Sequence, residues 1–365
     1  MKIAILGSRG IPSTYSGYET FIQEVAPALV GKGHEVIVYC RRSLFSERPK
    51  WHKGVRLVYL PSIETKSLGT LTHSAVATIH VLMSDVDVIL FVNAANGWFC
   101  LPVRLLGKRA AINLDGLEWK RGKWNRLGKL FFFWAARAAT LFANELVNDA
   151  EAMRLFYRQN WEKDSTFIAY GAYIESSERP EIVREYGLEP GQYFLIASRL
   201  VPDNNADMIV RAFESVKTQM FLAIAGGANY RNQFVEELKK TSDKRIKFLG
   251  HIGNDQHIKE LHCNAYAYIH GHEVGGTNPA LLKALGFGNC IIALDTPFSR
   301  EVLGDYGLLF EKTVESLRDK MQYVVDHPEV AERFRKRAPE RIREAYTWDS
   351  IRDKYEELFQ KMINR

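Results

Sequence analysis

The chain of 365 residues has only four cysteines, Cys40, Cys100, Cys263 and Cys290. They form no C-x-x-C pair, and no His/Cys ligand spacing accompanies them. Each lies in an apolar run, which argues against a disulfide framework or a zinc site and predicts reduced core thiols. Long apolar runs are also missing. The longest, LFFFWAARAATLFANELV, is broken by Arg137 and closes on Glu145, too short and too charged to span a bilayer. The opening MKIAILGSRG passes from one lysine directly into a strand pattern with no cleavage-site region, so the expectation is a cytoplasmic protein. No low-complexity tract is present. G-x-G-x-x-G spacing is absent too, and Tyr39, Cys40 and Arg41 stand where an acidic residue would close the second strand. A nicotinamide dinucleotide is thereby disfavoured.

What is present is the composition of a folded protein: 46% hydrophobic, enough for two ordinary domains with real cores. Charge is unevenly placed. Residues 1–175 hold 22 Lys and Arg against 15 Asp and Glu, and the remainder holds 27 against 28. Within the basic half, Arg104 to Arg137 carries nine basic residues against Asp115 and Glu118, interleaved with Trp119, Trp124, Phe131, Phe132, Phe133 and Trp134. Such a stretch suits contact with an anionic membrane or acceptor; it suits equally a buried helix with a solvated basic face. No nucleic-acid motif accompanies it, so nucleic acid is not an expected partner.

Hydrophobic patterning is that of α/β units. KIAIL, the loop GSRGIPSTYSGYE, a helix TFIQEVAPALVGKG and a strand HEVIVYC make a βαβ unit. Strands follow at VRLVYL, VDVILFV, RAAINL, LVND and STFIAY. The pattern restarts after the polar, Pro- and Gly-bearing GAYIESSERPEIVREYGLEPGQ with YFLIAS, MFLAIAGG, IKFLG, AYAYIH and CIIAL. Two doubly wound Rossmann-like domains facing a central cleft are expected, with function in the loops after strands. The expected division is 1–172, 173–345 and a last helix at 346–365.

The loop after the first strand carries Gly7, Gly10 and Gly17, which either approach a phosphate or simply make tight turns. Asp85-x-Asp87 has the spacing of a metal-diphosphate pair but precedes its strand, on the wrong side of the sheet for a cleft ligand, so no metal is expected. Arg199 ends the first strand of the second half, where its guanidinium can fork onto a phosphate, with Asn204 and Asn205 as neutral donors nearby. HGHEVGGTNPALLKALGFG is the most specific stretch: Glu273, then Gly275, Gly276, Thr277 and Asn278 at a helix N-terminus, an arrangement that favours an anion. Asp115, after RAAINL, either meets an acceptor hydroxyl or forms the turn before Gly116.

Through MKIAILGSRGIPSTYSGYETF, VNDAEAM, SRLVPDNNADMIVRAF, LAIAGG, IKFLGHI, HGHEVGGTNPALLKALGFG and YTWDSIRDKYEELF the chain resembles glycosyltransferase family 4, retaining enzymes of GT-B architecture. GLEWKRGKW and HGHEVGGTNP make it most similar to the bacterial rhamnosyltransferase-like subset. The resemblance implies an N-terminal acceptor-binding domain, a C-terminal domain for a nucleotide-sugar donor, and a last helix bracing the first domain. Donor-binding positions would be Gly17, Arg199, Asn204, Gly227, His251, Ile252, Glu273, Gly275, Gly276, Thr277, Asn278 and Lys283. Tyr18, Glu118, Trp119, Lys120 and Arg121 would meet the acceptor, and Glu273, Asp115 and Arg199 would carry the chemistry. No cofactor beyond the nucleotide-diphosphate sugar is implied. The expected activity is transfer of a sugar, L-rhamnose from dTDP-rhamnose, to a lipid-linked or growing glycan of the cell envelope, at the inner face of the plasma membrane. Two departures stand out. A family lysine is replaced by Asn204, and a family glutamate that holds the ribose falls on Lys283, which can donate to ribose or phosphate oxygens but cannot accept. A catalytically silent assembly partner and a nucleotide-sugar epimerase are the alternatives.

Overall fold

A computed structural model describes residues 1–12, 17–65, 68–114, 116–121, 124–227 and 233–364. The chain divides into two compact units, Met1–Tyr170 with Trp348–Arg365, and Gly171–Thr347.

In the first unit eight strands form one sheet: β1 (Lys2–Leu6), β2 (Glu35–Arg41), β3 (Trp51–His52), β4 (Val55–Leu60), β5 (Val88–Val92), β6 (Arg109–Leu114), β7 (Glu145–Asn148) and β8 (Thr166–Phe167). Their spatial order is β3-β4-β2-β1-β5-β6-β7-β8, parallel except for the β3–β4 pair. The run VILFV of β5 is buried at every position, as a central parallel strand covered on both faces must be. Helices α1 (Gly17–Gly31), α2 (Gly69–Leu82), α3 (Cys100–Leu105), α4 (Arg126–Phe142) and α5 (Glu151–Trp161) supply the crossovers.

The second unit carries β9 (Tyr193–Ala197), β10 (Phe221–Ala225), β11 (Ile246–Gly250), β12 (Ala267–His270), β13 (Ile291–Leu294) and β14 (Leu308–Phe310) in the order β11-β10-β9-β12-β13-β14, all parallel. Around it lie α6 (Ala206–Glu214), α7 (Gln233–Leu238), α8 (Asp255–Cys263), α9 (Pro279–Gly286), α10 (Pro297–Leu303), α11 (Val314–Asp326) and α12 (Pro328–Ala345). The sheet reverses its winding between β9 and β12, the place where open parallel sheets bind ligands.

The last helix, α13 (Trp348–Asn364), belongs to the first unit and packs on α1. Its apolar face buries Ile351, Tyr355, Leu358, Phe359 and Met362. Asn113 donates to the Tyr355 hydroxyl at 2.7 Å, and the rings of Phe21 and Tyr355 are 4.8 Å apart. At the rim, Lys32 pairs with Asp353 at 2.5 Å and with Glu356, and Arg352 pairs with Glu24.

Several elements differ from the sequence expectation. The strand expected over STFIAY pairs only at Thr166–Phe167, because the edge strand runs out of partner once Ile168 has bonded to the Asn148 carbonyl. The first helix begins at Gly17 rather than at Thr20. The short strands β3 and β14 carry no periodic signal. All four cysteines are free and buried, and burial pushes the Cys40 thiol up to about 12, which leaves it unreactive. Among the described residues no helix is long and apolar enough to cross a membrane.

Because Phe359 is fully buried in the α13 seam, Phe359→Ala is expected to cost about 3–5 kcal/mol. Denaturant unfolding followed by circular dichroism measures this; an unchanged midpoint would show that α13 contributes nothing to the core.

Candidate functional site

The site is built where β9 and β12 end side by side. The turn after β9 must clear the end of β10, and only a glycine permits it: a Cβ on Gly226 would lie 1.8 Å from the Ser198 carbonyl oxygen. Leu200 N–H then reaches the Gly227 carbonyl at 3.3 Å. Arg199 is left exposed at the strand's C-terminal end. Asn204 is buried and turns its amide inward, donating to the Arg199 carbonyl at 2.7 Å, so it fastens the turn that presents the guanidinium.

Its neighbour Asn205 has φ of 54°, a left-handed conformation that asparagine tolerates better than most residues. From that position its Nδ2 donates to the Gly271 carbonyl at 2.8 Å and to Glu273 Oε1 at 2.7 Å. The Glu273 amide bonds back to the Asp203 carbonyl at 3.1 Å. The two loops meet so closely that a Cβ on Gly271 would lie 2.5 Å from the Asn204 carbonyl oxygen and 3.0 Å from Ile209 Cδ1. On its other side Glu273 Oε1 receives Lys312 Nζ at 2.5 Å, from the loop after β14. A pair this exposed adds about 0–1 kcal/mol to stability, so its meaning is positional.

Beyond Glu273 the chain reaches α9. Asn278 caps it: the side chain accepts from Ala280 N–H at 3.0 Å, while the Asn278 carbonyl takes the N–H groups of Leu281 and Leu282 at 3.0 and 3.1 Å. Pro279, at the first helical position, has no N–H to satisfy. The helix's own first amides are therefore occupied. The donors left over are in the loop: among the described residues the N–H groups of Gly275, Gly276 and Asn278 have no partner. The far end of α9 is fixed by chain crossing over Gly286, whose Cβ would lie 2.1 Å from the Tyr173 carbonyl oxygen.

Behind this loop is a small hollow, lined on one side by His270, His272, Glu273 and Gly275 and on the other by Thr296 and Ser299. The His270 and His272 rings stack at 4.2 Å with an interplanar angle of 12°. Burial, with the charge of His272 second, drives the His270 pKa well below its usual value, so it sits there neutral. His262, packed against the Phe287 ring past the end of α9 and bonded through Nδ1 to Asn289 at 2.8 Å, is pushed down to about 4, mainly by burial, with Lys283 adding a smaller push.

Lys283 itself is exposed on α9. His251 and Ile252 follow β11, with Gly227 alongside: the His251 Cβ lies 3.8 Å from where a Cβ of Gly227 would be. In the first unit Gly17 and Tyr18 open α1, and a Cβ on Gly7 would lie 2.4 Å from the Val92 carbonyl oxygen, which explains that glycine by packing. Asp115 lies outside the described residues. Glu118 is buried, its Oε2 accepting from Trp124 Nε1 at 2.9 Å and its Oε1 paired with Arg121 at 2.8 Å. Trp119 stacks among Phe133, Phe156 and Trp161, and Lys120 lies over the Phe156 ring. Asp85 and Asp87 bind Lys2 at the N-terminal edge of their sheet.

Sequence reasoning takes Asn205 as a neutral donor beside Arg199 and not as the bridge between loops, and it misses Lys312 as partner of Glu273. The N-N repeat could point to the first, since asparagine is favoured in left-handed turns. Nothing in the spacing points to the second.

Gly271→Ala is expected to force the loops apart and cost about 1–3 kcal/mol; an unchanged unfolding midpoint would show that the close approach is not needed. The histidines give a signed pH dependence. The folded pKa of His262 lies near 4 against an unfolded value near 6.5, so on its account the unfolded chain binds more protons between about 4 and 6.5, and His270 acts in the same direction. Stability should fall as pH drops through that window, and below it His262 should add no further decline. His262→Gln should flatten the decline in a pH series of unfolding curves; an unaltered slope would contradict a buried neutral His262.

Residues 178–341 match the family described as glycosyl transferases group 1, and residues 81–173 match a domain of unknown function, DUF1972. No curated protein matches the chain by sequence. Solved structures resemble it over its whole length. HepE from Anabaena, in complex with UDP, aligns with a TM-score of 0.79 at 16% identity, covering 99% of this chain and 100% of that one. Sucrose-phosphate synthase from Thermosynechococcus elongatus gives 0.81 at 15%, covering 100% and 99%. The catalytic domain of starch synthase IV from Arabidopsis thaliana, bound to ADP and acarbose, gives 0.74 at 12%, covering 100% and 99%. The chain has the GT-B fold of these glycosyltransferases, and the stretch that matches the group 1 glycosyl transferases holds Arg199, Asn205, Glu273 and the loop before α9.

Proposed function

We propose that the protein is a retaining, metal-independent glycosyltransferase that binds a nucleoside-diphosphate sugar at the ends of β9 and β12 and transfers the sugar to a hydroxyl of a lipid-linked or growing glycan. The observation that carries this reading is the loop between β12 and α9, where free N–H groups of Gly275, Gly276 and Asn278 follow a carboxylate, Glu273, held by Asn205. Free amides beside an exposed arginine suit diphosphate oxygens, and a fixed carboxylate suits sugar hydroxyls. Neighbours of the same fold were solved with UDP, UDP-glucose or ADP, which supports a nucleotide as ligand.

In the proposed reaction the bond between the anomeric carbon and the diphosphate oxygen breaks, and the acceptor oxygen bonds to that carbon on the same face. Its proton passes to the departing phosphate oxygen. Arg199 and the loop amides stabilise the charge that grows on the diphosphate. Lys283 supplies a cation in place of the one missing at Asn204. Thr277, Gly227, His251 and Ile252 frame the donor. Gly17, Tyr18, Lys120, Arg121 and Asp115 are the acceptor-side candidates, while Glu118 and Trp119 hold their loop. Metal independence is supported by the commitment of Asp85 and Asp87 to Lys2. L-rhamnose from dTDP-rhamnose is the proposed donor, on the resemblance of GLEWKRGKW and HGHEVGGTNP alone.

Isothermal titration with dTDP, UDP and GDP, with and without Mg²⁺, tests the reading. One diphosphate should bind without metal, and Arg199→Ala should weaken it about 10- to 150-fold, the worth of a hydrogen bond to a charged group. Failure of all three nucleotides to bind, or an Arg199→Ala variant that binds as well as the parent, would overturn it in favour of a silent assembly partner.

A further inference from the structure

The helix layer formed by α3 and α4 in the first unit presents an outer surface that the donor-site reading does not use. On α4, Leu127 is 76% exposed, Leu130 54%, Trp134 50% and Leu141 50%. At roughly 100° per residue these four positions fall within about 60° of the helix circumference, a single stripe. The opposite face is the buried one, with Phe132, Ala135, Ala136 and Ala139. Leu105 and Leu106, at the end of α3, are also exposed. Arg104 Nη1 donates to the Leu141 carbonyl at 3.0 Å, which ties the end of α3 to the end of α4 and sets Leu105 and Leu106 at the end of the same helix layer. Large apolar residues scattered singly over a surface are ordinary, but a connected group is a docking face.

Charge selects the occupant. The charged residues of α4 are Arg126, Lys129 and Arg137, and the sequence from Trp119 to Asn144 contains no aspartate or glutamate. Arg126 and Arg137 flank the apolar stripe on one side, and Arg137 leans over the Trp161 ring at 5.9 Å. A second copy of this chain would set the same cations against one another across a twofold axis. An anionic bilayer instead takes leucine and tryptophan into the headgroup boundary and gathers arginine and lysine at its negative surface. We propose that the α3–α4 face is a membrane-docking surface that seats the protein on anionic phospholipid. The proposal goes beyond the donor-site reading and does not rest on it.

The test is flotation of the full chain with vesicles of phosphatidylcholine alone and of phosphatidylcholine mixed with phosphatidylglycerol. The mixed vesicles should bind at least about tenfold more protein than the neutral ones, and added salt should reduce the binding. The triple variant Leu127→Ser, Leu130→Ser, Trp134→Ser should lose about tenfold or more of that binding with an unchanged circular dichroism spectrum. The double variant Arg126→Glu, Lys129→Glu keeps the apolar stripe and places acid at a helix N-terminus, where it favours folding; it too should lose binding to the anionic vesicles. Absence of binding to either vesicle, or undiminished binding by both variants, would overturn the proposal. So would a parent that sediments as a dimer which the triple variant dissociates, since the face would then belong to a second copy.

Discussion

The second unit's site depends on one asparagine. Asn205 holds a left-handed backbone conformation and uses its amide to join the turn after β9 to the loop after β12, bonding the Gly271 carbonyl and the Glu273 carboxylate together. Together with the bond from the Glu273 N–H to the Asp203 carbonyl, that bridge ties the loop bearing Arg199 to the loop bearing Glu273. With it, the position of the carboxylate follows the position of the arginine. Gly271 is the second half of the same constraint, because the bridge forms only where the two backbones approach within contact distance. A buried, hydrogen-bonded contact of this kind sets geometry more than stability, and geometry is what positioning a reactive sugar requires.

The helix behind the loop is fixed from both ends. Asn278 caps its start and Gly286 admits the crossing backbone at its finish. Since the cap consumes the helix's first amides, the N–H groups without a partner among the described residues lie one step earlier, in Gly275, Gly276 and Asn278. The helix macrodipole still favours negative charge at that point, so field and donors act on the same spot through different atoms. The buried neutral imidazole of His270 lines the hollow behind the loop without adding positive charge to it.

Much of this was legible in the sequence, for physical reasons. Continuous apolar runs such as YFLIA and VILFV mark buried parallel strands, and the restart of the pattern after the polar segment near residue 180 marks a second sheet. The glycines and carboxylate of HEVGGTNP announce a loop at a strand end. What was not legible depends on contacts between residues distant in the chain. Asn204 looks like a ligand-facing donor, yet it is buried and spends its amide on the Arg199 carbonyl. Lys312 follows a three-residue strand with no alternation, so neither the strand nor its approach to Glu273 leaves a trace in local pattern. Trp119 and Glu118 sit in a basic, aromatic stretch that suggests a ligand surface. The structure engages one in a ring cluster and the other with Arg121 and Trp124. The same stretch divides into a buried face and an exposed stripe only once α4 is seen against its sheet.

The central claim is that the loop between β12 and α9, together with Arg199, is where a nucleoside diphosphate sits. A crystal structure of the protein grown with the diphosphate that binds best tests it most directly. The account predicts phosphate oxygens within hydrogen-bond distance of Arg199 and of the Gly275, Gly276 or Asn278 amides, with Glu273 facing the space beyond the terminal phosphate. A diphosphate bound instead at the glycine loop after β1, with the loop before α9 empty, would contradict it.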